Sequence, residues 1–470
     1  MIKRKVFLFL TLIFLVFNVS AAIWKVGSTR SYTFPSQVST LVQNGDTVEI
    51  DAGVYSSDVA HWTANNLLLK GVNGFAQLAS GGLTYGDKAV WVIGGSNTTV
   101  EYIEFSQATS TSNNGAGIRQ EGSNLTIRHC YFHNNEDGIL AGALHPSNMV
   151  IEYSEFGYNG YGDGYSHNLY IGNIDTLIFR YNYSHDCSVG HELKSRADVN
   201  YILYNRISDE TTGTASRSID LPNGGTTYII GNEIEQGPAS QNSNIIGYGL
   251  EGLTNPAPHN IYAINNSIVN DKSNGSFFQF QPATNLFKGY NNIIAGPGSF
   301  ITSTMPDTVD TAANFITPNI NSIGFVNAAN YDYRLASGSS PVINAGTNPG
   351  SDGAFPLSPI MVYIHPDSAD IRCVQGNLDI GAYEYCSPTM VEDALTIYPL
   401  QLFYPLPAHE NIYFSKPQKF IRIRNVTGQL LYEHKSDGVG SGLLSLNVSM
   451  LPAGIYFLET KDRTAEIIKD

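Results

Sequence analysis

The chain has 470 residues, with 26 Lys and Arg against 41 Asp and Glu, and a formal charge of −15. That balance argues against a nucleic-acid partner, because phosphate contacts need clustered cations. Four cysteines in 470 residues also exclude a disulfide-stapled scaffold.

Residues 1–22 read as a secretory signal peptide. Lys3, Arg4 and Lys5 form a basic start, Val6 to Phe17 an apolar run, and Val19-Ser20-Ala21 a small-residue cleavage site. The run is too short to be an anchor, and no later stretch is apolar enough to span a bilayer. The mature protein is therefore expected to be exported and soluble, with no transmembrane segment and a charge of about −18. In an oxidising compartment Cys373 and Cys386 can pair across their short segment, and Cys130 and Cys187 can be buried thiols. The sequence leaves both open.

From residue 23 onward no window sustains a 3.6-residue apolar period over helical length. Short β-rich runs broken by Asn-Gly, Gly-Gly and Pro dominate, so the chain reads as all-β. One pattern recurs, from TTVEYIEFSQ through LTIRHCYFHNN and YILYNRISDE to LFKGYNNIIAG. Its equivalent apolar positions are Phe105, Phe132, Phe156, Tyr183, Ile207, Ile234, Ile268 and Ile294, separated by 24 to 27 residues except for one gap of 34. Asn205, Asn232, Asn266 and Asn292 sit two residues before the apolar position, a column suited to a ladder of amides. A second strand recurs between these runs, in AGIRQ, DGILA, HNLYIG, HELKSR, RSIDLP, NIIGY and FFQFQ. Two or more strands per turn of roughly 25 residues predict a parallel β-solenoid over 23–386.

Within it, GHELKSRA (190–197) stands out. Residues 23–386 hold 15 Lys and Arg, and four of them fall between 194 and 217. Taking Leu169, Leu193 and Ile219 as inward, period-2 alternation puts Asn168, Glu192 and Ser218 in one outward column and Tyr170, Lys194 and Asp220 in the next. His167, His191 and Arg217 fall at the strand entrance, with Arg196 and Asn223 at the exit. Lys194 alone has a plainer reading, as a surface ion pair with Glu192 or Asp220. Three coils converging on one titratable patch point instead to a site.

The chemistry such a group suits is β-elimination from a uronic acid. The reaction needs a neutralised carboxylate, a base at C5 and a donor for the O4 leaving group. Lys194 is the candidate base and Arg217 the candidate donor, with Tyr170, His167, His191, Arg196 and Asn223 binding substrate. Asn168, Glu192 and Asp220 offer oxygens for a candidate Ca²⁺. Two other classes stay open. A hydrolase would pair Asp220 with Glu192, and a non-catalytic glycan-binding protein would use the Tyr-rich face for stacking. An anionic polysaccharide is the expected partner and a monomer the expected state.

Beyond Cys386, SPTMVEDALT (387–396) reads as a linker. YPLPAHENIYF, IRIRNVTGQLLYE and LPAGIYFLE then predict a small β-sandwich over 397–470.

The solenoid portion resembles the right-handed parallel β-helix proteins, the superfamily of pectate lyases, chondroitinase B and related alginate lyases. GDTVEIDAGVY (45–55) looks like their first coil and LDIGAYEY (378–385) like their closing segment. In the chondroitinase B and alginate lyase branch a Lys followed by Ser is the base and an Arg on the next coil the acid. Lys194-Ser195 and Arg217 match that arrangement. The branch's acidic calcium ligands lie at a spacing this sequence lacks, Glu192 being only two residues before Lys194. The last segment resembles the C-terminal sorting domain of the type IX secretion system of Bacteroidota. Tyr404, Pro405 and Pro407 match its pattern, and Leu406 stands where Asn is usual. The resemblance implies the type IX machinery as a partner, and delivery to the cell surface or beyond.

Overall fold

The structure is a computed structural model. It describes residues 21–386 apart from 339 and 374, and in the C-terminal segment residues 403–404, 411–425, 429–435, 443–452, 454–460 and 464–469. Nearly all of the expected signal peptide, and the whole expected linker, lie outside the described residues.

Each coil supplies three short strands because the apolar runs are only three to five residues long before an Asn, Gly or Asp bends the chain. One coil reads Thr176–Arg180, Tyr183–His185 and His191–Ser195, and the next Val199–Leu203, Arg206–Ser208 and Arg217–Leu221. They pair in parallel, Thr176 with Val199, Ser184 with Ile207 and Lys194 with Asp220. Ten such strands, from Ala60–Trp62 to Ser299–Ile301, make one sheet. The others form the remaining faces.

The inward columns are continuous and buried. Phe105, Phe132 and Phe156 stack with ring centroids 4.8 and 4.9 Å apart. Ile207, Ile234, Ile268 and Ile294 continue the column, all fully buried. One expected member is corrected. Ser184, not Tyr183, pairs with Phe156 and Ile207. Tyr183 turns outward, where its hydroxyl donates to Glu210 at 2.6 Å and Arg206 lies over its ring. A phenol finds its bond there, whereas the smaller Ser184 serves a buried carboxylate inside.

The amide ladder is present and runs further than the four residues expected, from Asn182 to Asn314. Each amide bonds the next; Asn205 Nδ2, for example, donates to Asn232 Oδ1 (3.0 Å) and to the Phe179 carbonyl (2.9 Å). These bends have no sheet partner for their backbone, so the buried side-chain amides satisfy it.

The parallel coils end at Phe315–Thr317. Residues 320–386 then form short antiparallel hairpins, such as Met361–Ile364 with Ser368–Ile371. This segment packs back on the solenoid, with Phe355 and Leu357 against Tyr201, Tyr228 and Tyr262. Its closing run is locked by Asn265 Nδ2 on the Asp379 carbonyl (2.8 Å) and by the buried Arg372–Glu384 pair (3.0 Å). Cys373 and Cys386 are disulfide-bonded, whereas Cys130 and Cys187 are free and buried. The C-terminal segment forms antiparallel sheets of three and four strands around Ile412, Ile421, Ile423, Leu458 and Ile467, the expected β-sandwich.

Candidate active site

The ten-stranded sheet carries one outer column of side chains, running Leu140, Tyr170, Lys194, Asp220, Gly247 and Gln279 through successive registers. Charge collects at its middle. Lys194 Nζ lies 2.9 Å from Glu251 Oε1 and 3.7 Å from Asp220 Oδ2, above the Tyr170 ring. Arg196 reaches the same group from the strand exit. Its Nε donates to Tyr170 Oη (2.8 Å), Nη1 to Asn223 Oδ1 (2.6 Å) and Nη2 to Glu251 Oε2 (2.6 Å). Arg217 donates through Nη1 to Asp220 Oδ1 (3.2 Å) and through Nη2 to Gln279 Oε1 (3.4 Å). Gly247 makes room for this pair, since a Cβ there would stand 3.0 Å from both Arg217 Nε and Asp220 Oδ1.

Two imidazoles close the entrance side. His167 stacks on Tyr170 and on His191, with centroids 5.7 and 4.9 Å apart. His167 Nδ1 accepts the His191 backbone N–H at 2.9 Å, and His191 Nε2 lies 3.6 Å from Asp220. Burial, reinforced by nearby cations, lowers His167 well below the usual imidazole value and His191 to about 3. Both rings are therefore neutral at neutral pH. The two carboxyls of the site are pushed in opposite directions. Burial raises Asp220 against the pull of Arg217 and Lys194. For Glu251 burial acts upward, but hydrogen bonds from Lys194 and Arg196 outweigh it and bring the carboxyl down to about 2.

The structure thus brings together Tyr170, His167, His191, Lys194, Arg196, Arg217, Asp220 and Asn223. It separates Asn168 and Glu192 from them. At the corner before Lys194 two successive residues, Glu192 and Leu193, both turn inward and are fully buried, so strict alternation fails. Glu192 terminates an interior amide chain running through Asn135, Asn159 and Asn168. Its Oε2 accepts from Asn168 Nδ2 (2.5 Å) and Ser184 Oγ (2.8 Å), and Oε1 from the Cys187 N–H (2.9 Å). Burial and the nearby Asp209 charge raise its pKa well above the usual range.

The predicted calcium set therefore does not fit the residues present. Two of its three members have their oxygens occupied inside the coil, and Asp220 is on the other side of the sheet. Among the described residues, the His, Cys, Asp and Glu side chains near enough to share a metal are instead His145, Asp175 and Asp198. Arg206, one of the four clustered cations, also leaves the patch, pairing with Glu210 and Glu233 elsewhere.

Sequence reasoning missed Glu251 and Gln279. The 34-residue gap between Ile234 and Ile268 marks the extra loop that carries Glu251. No local signal marks Gln279.

Residues 52–234 match the family model for right-handed β-helix regions, and residues 402–470 match that for the secretion system C-terminal sorting domain. Solved structures similar to this chain include pectate lyase Pel9A, at 14% identity over 78% of this chain and 97% of that one, with a TM-score of 0.50. Pectin methylesterase PemA from Erwinia chrysanthemi is 12% identical over 46% of this chain and 80% of that one, with a TM-score of 0.32. No curated protein matches. The first likeness shows the fold, a right-handed parallel β-helix. The sorting domain indicates type IX secretion to the cell surface or outside, and no helix among the described residues is long and apolar enough to cross a membrane.

Proposed function

We propose that this exported right-handed β-helix is a polysaccharide lyase, cleaving a uronic-acid-containing polymer by β-elimination. The supporting observation is that Lys194 and Arg217, on adjacent coils, share Asp220 at 3.7 and 3.2 Å, with Arg196 joined to Lys194 through Glu251. In this reading Arg196, oriented by Tyr170 and Asn223, neutralises the uronate carboxylate and acidifies the C5 proton. Lys194 in its amine form takes that proton, C4=C5 forms, and the C4–O4 bond breaks. Arg217 hydrogen-bonds the departing O4 and stabilises its charge, and water supplies its proton. His167 and His191, being neutral, add no charge and wall the entrance.

A second reading rests on the opposed carboxyls. Asp220, with its pKa raised, and Glu251, with its pKa lowered, both lie within 3.7 Å of Lys194 Nζ. Divergent values of this kind suit the acid and base of a glycoside hydrolase. One assay separates the two, using alginate, pectate, glucuronan and chondroitin. Ultraviolet absorbance from unsaturated ends supports the lyase. New reducing ends without absorbance support hydrolysis, and binding without either identifies a glycan-binding protein.

A further inference from the structure

Glu251 differs from the other charges of the site in arriving on a loop, 57 residues after Lys194. Its two carboxylate oxygens fork across two cations, one on Lys194 Nζ at 2.9 Å and the other on Arg196 Nη2 at 2.6 Å. A uronate carboxylate offers the same charge and the same kind of bond to Arg196.

The loop is held without that carboxylate. The Glu251 backbone N–H donates to the Pro222 carbonyl (3.0 Å), and Asn255 Nδ2 donates to the carbonyls of Ala197 (2.9 Å) and Gly224 (3.0 Å). The Glu251 side chain is 48% exposed. Its carboxylate can therefore rotate into water about its own side-chain bonds while the loop stays in place. Charge requires this exchange before an anion enters. With Glu251 engaged, Lys194, Arg196 and Arg217 face two carboxylates. With it withdrawn they face Asp220 alone, and the site gains positive charge.

We propose that Glu251 holds the place of a substrate carboxylate: a carboxylated sugar enters by displacing it, takes over its bond to Arg196 and leaves Lys194 Nζ free to face C5. The inference rests on the uronate reading above. It makes Glu251 a specificity residue, because a neutral sugar cannot replace the charge it removes.

The test is calorimetric titration of galacturonate, mannuronate and glucuronate trimers, and of their carboxyl-reduced counterparts. The protein is the full chain carrying Arg217→Ala to slow cleavage, with and without Glu251→Gln. Removing the competing charge is expected to tighten at least one uronate trimer about tenfold, as a charge-assisted bond to Arg196 would, and to leave the reduced trimers unchanged. Equal or weaker uronate binding in the Glu251→Gln protein, with clear binding in its parent, overturns the place-holder and leaves the uronate reading standing. Absence of uronate binding in both proteins overturns the two together.

Discussion

Lys194 and Arg217 act through different atoms in the proposed reaction, so their substitutions should be distinguishable. Lys194→Ala removes the amine that takes the C5 proton and Arg217→Ala the donor to O4, and each should lower kcat roughly 10²-fold or more. Lys194→Arg should not rescue, because a guanidinium stays protonated. Arg196→Ala should raise KM more than it lowers kcat if it chiefly holds the carboxylate. Steady-state kinetics on the cleaved polymer decide, and full activity in Lys194→Ala would remove that residue as base. These side chains could be named from sequence because Tyr170, Lys194 and Asp220 alternate with Leu169, Leu193 and Ile219 on adjoining strands. Glu192 could not, because its strand starts at a corner where Glu192 and Leu193 both point inward.

The coil repeats because each bend satisfies its own backbone through the next coil's amide. Asn232 accepts from the Asn205 N–H (2.9 Å) and Asn205 Nδ2 (3.0 Å), and donates to the Ile202 carbonyl (2.8 Å) and Asn266 Oδ1 (3.0 Å). Asn232→Ala strands several buried groups at once, and should cost on the order of 3 kcal/mol in urea unfolding. Ile234→Asp, two residues on, puts an unpaired carboxylate into a fully buried column and should leave the solenoid unfolded by circular dichroism. A melting temperature near that of the parent would contradict the inward placement. The column of isoleucines was readable because its spacing is regular. Ser184 for Tyr183 was not, since a one-residue slip at a bend leaves the run's composition unchanged.

At the scale of the whole molecule, the solenoid interior stores titratable groups. Burial raises Asp209 to about 6 and Glu233 to about 7, and raises Glu192 and Glu235 well above the usual carboxylate range. The folded chain keeps protons that unfolded carboxyls, with pKa values of about 4, release. The stability these groups contribute is therefore complete below that value and is lost as pH rises through the folded values. His185 acts in the same direction. Burial opposes its charge, but Asp186 and Glu155 outweigh it and raise the ring to about 9. His167 and His191 act oppositely, but only below the unfolded imidazole value of about 6.5. The melting temperature should therefore fall by a few degrees between about pH 6.5 and 8.5. His185→Gln should flatten the fall, and a level profile in the parent would contradict the assignment.

The sorting domain has a core of its own, so deletion of residues 397–470 should leave a folded solenoid stranded in the periplasm. Fractionation checks this, and unchanged surface delivery would contradict it.

The sequence by itself determined the β-solenoid, the C-terminal sandwich and the strand that carries Lys194. Period and alternation are local properties, and a stack multiplies them coil after coil. The tertiary structure alone decided that Glu192 belongs to the interior and Glu251 to the site. A corner overrides alternation to keep the backbone bonded. An inserted loop, whose ends are fixed but whose path no repeat describes, carries a charge back to strands laid down 57 residues earlier.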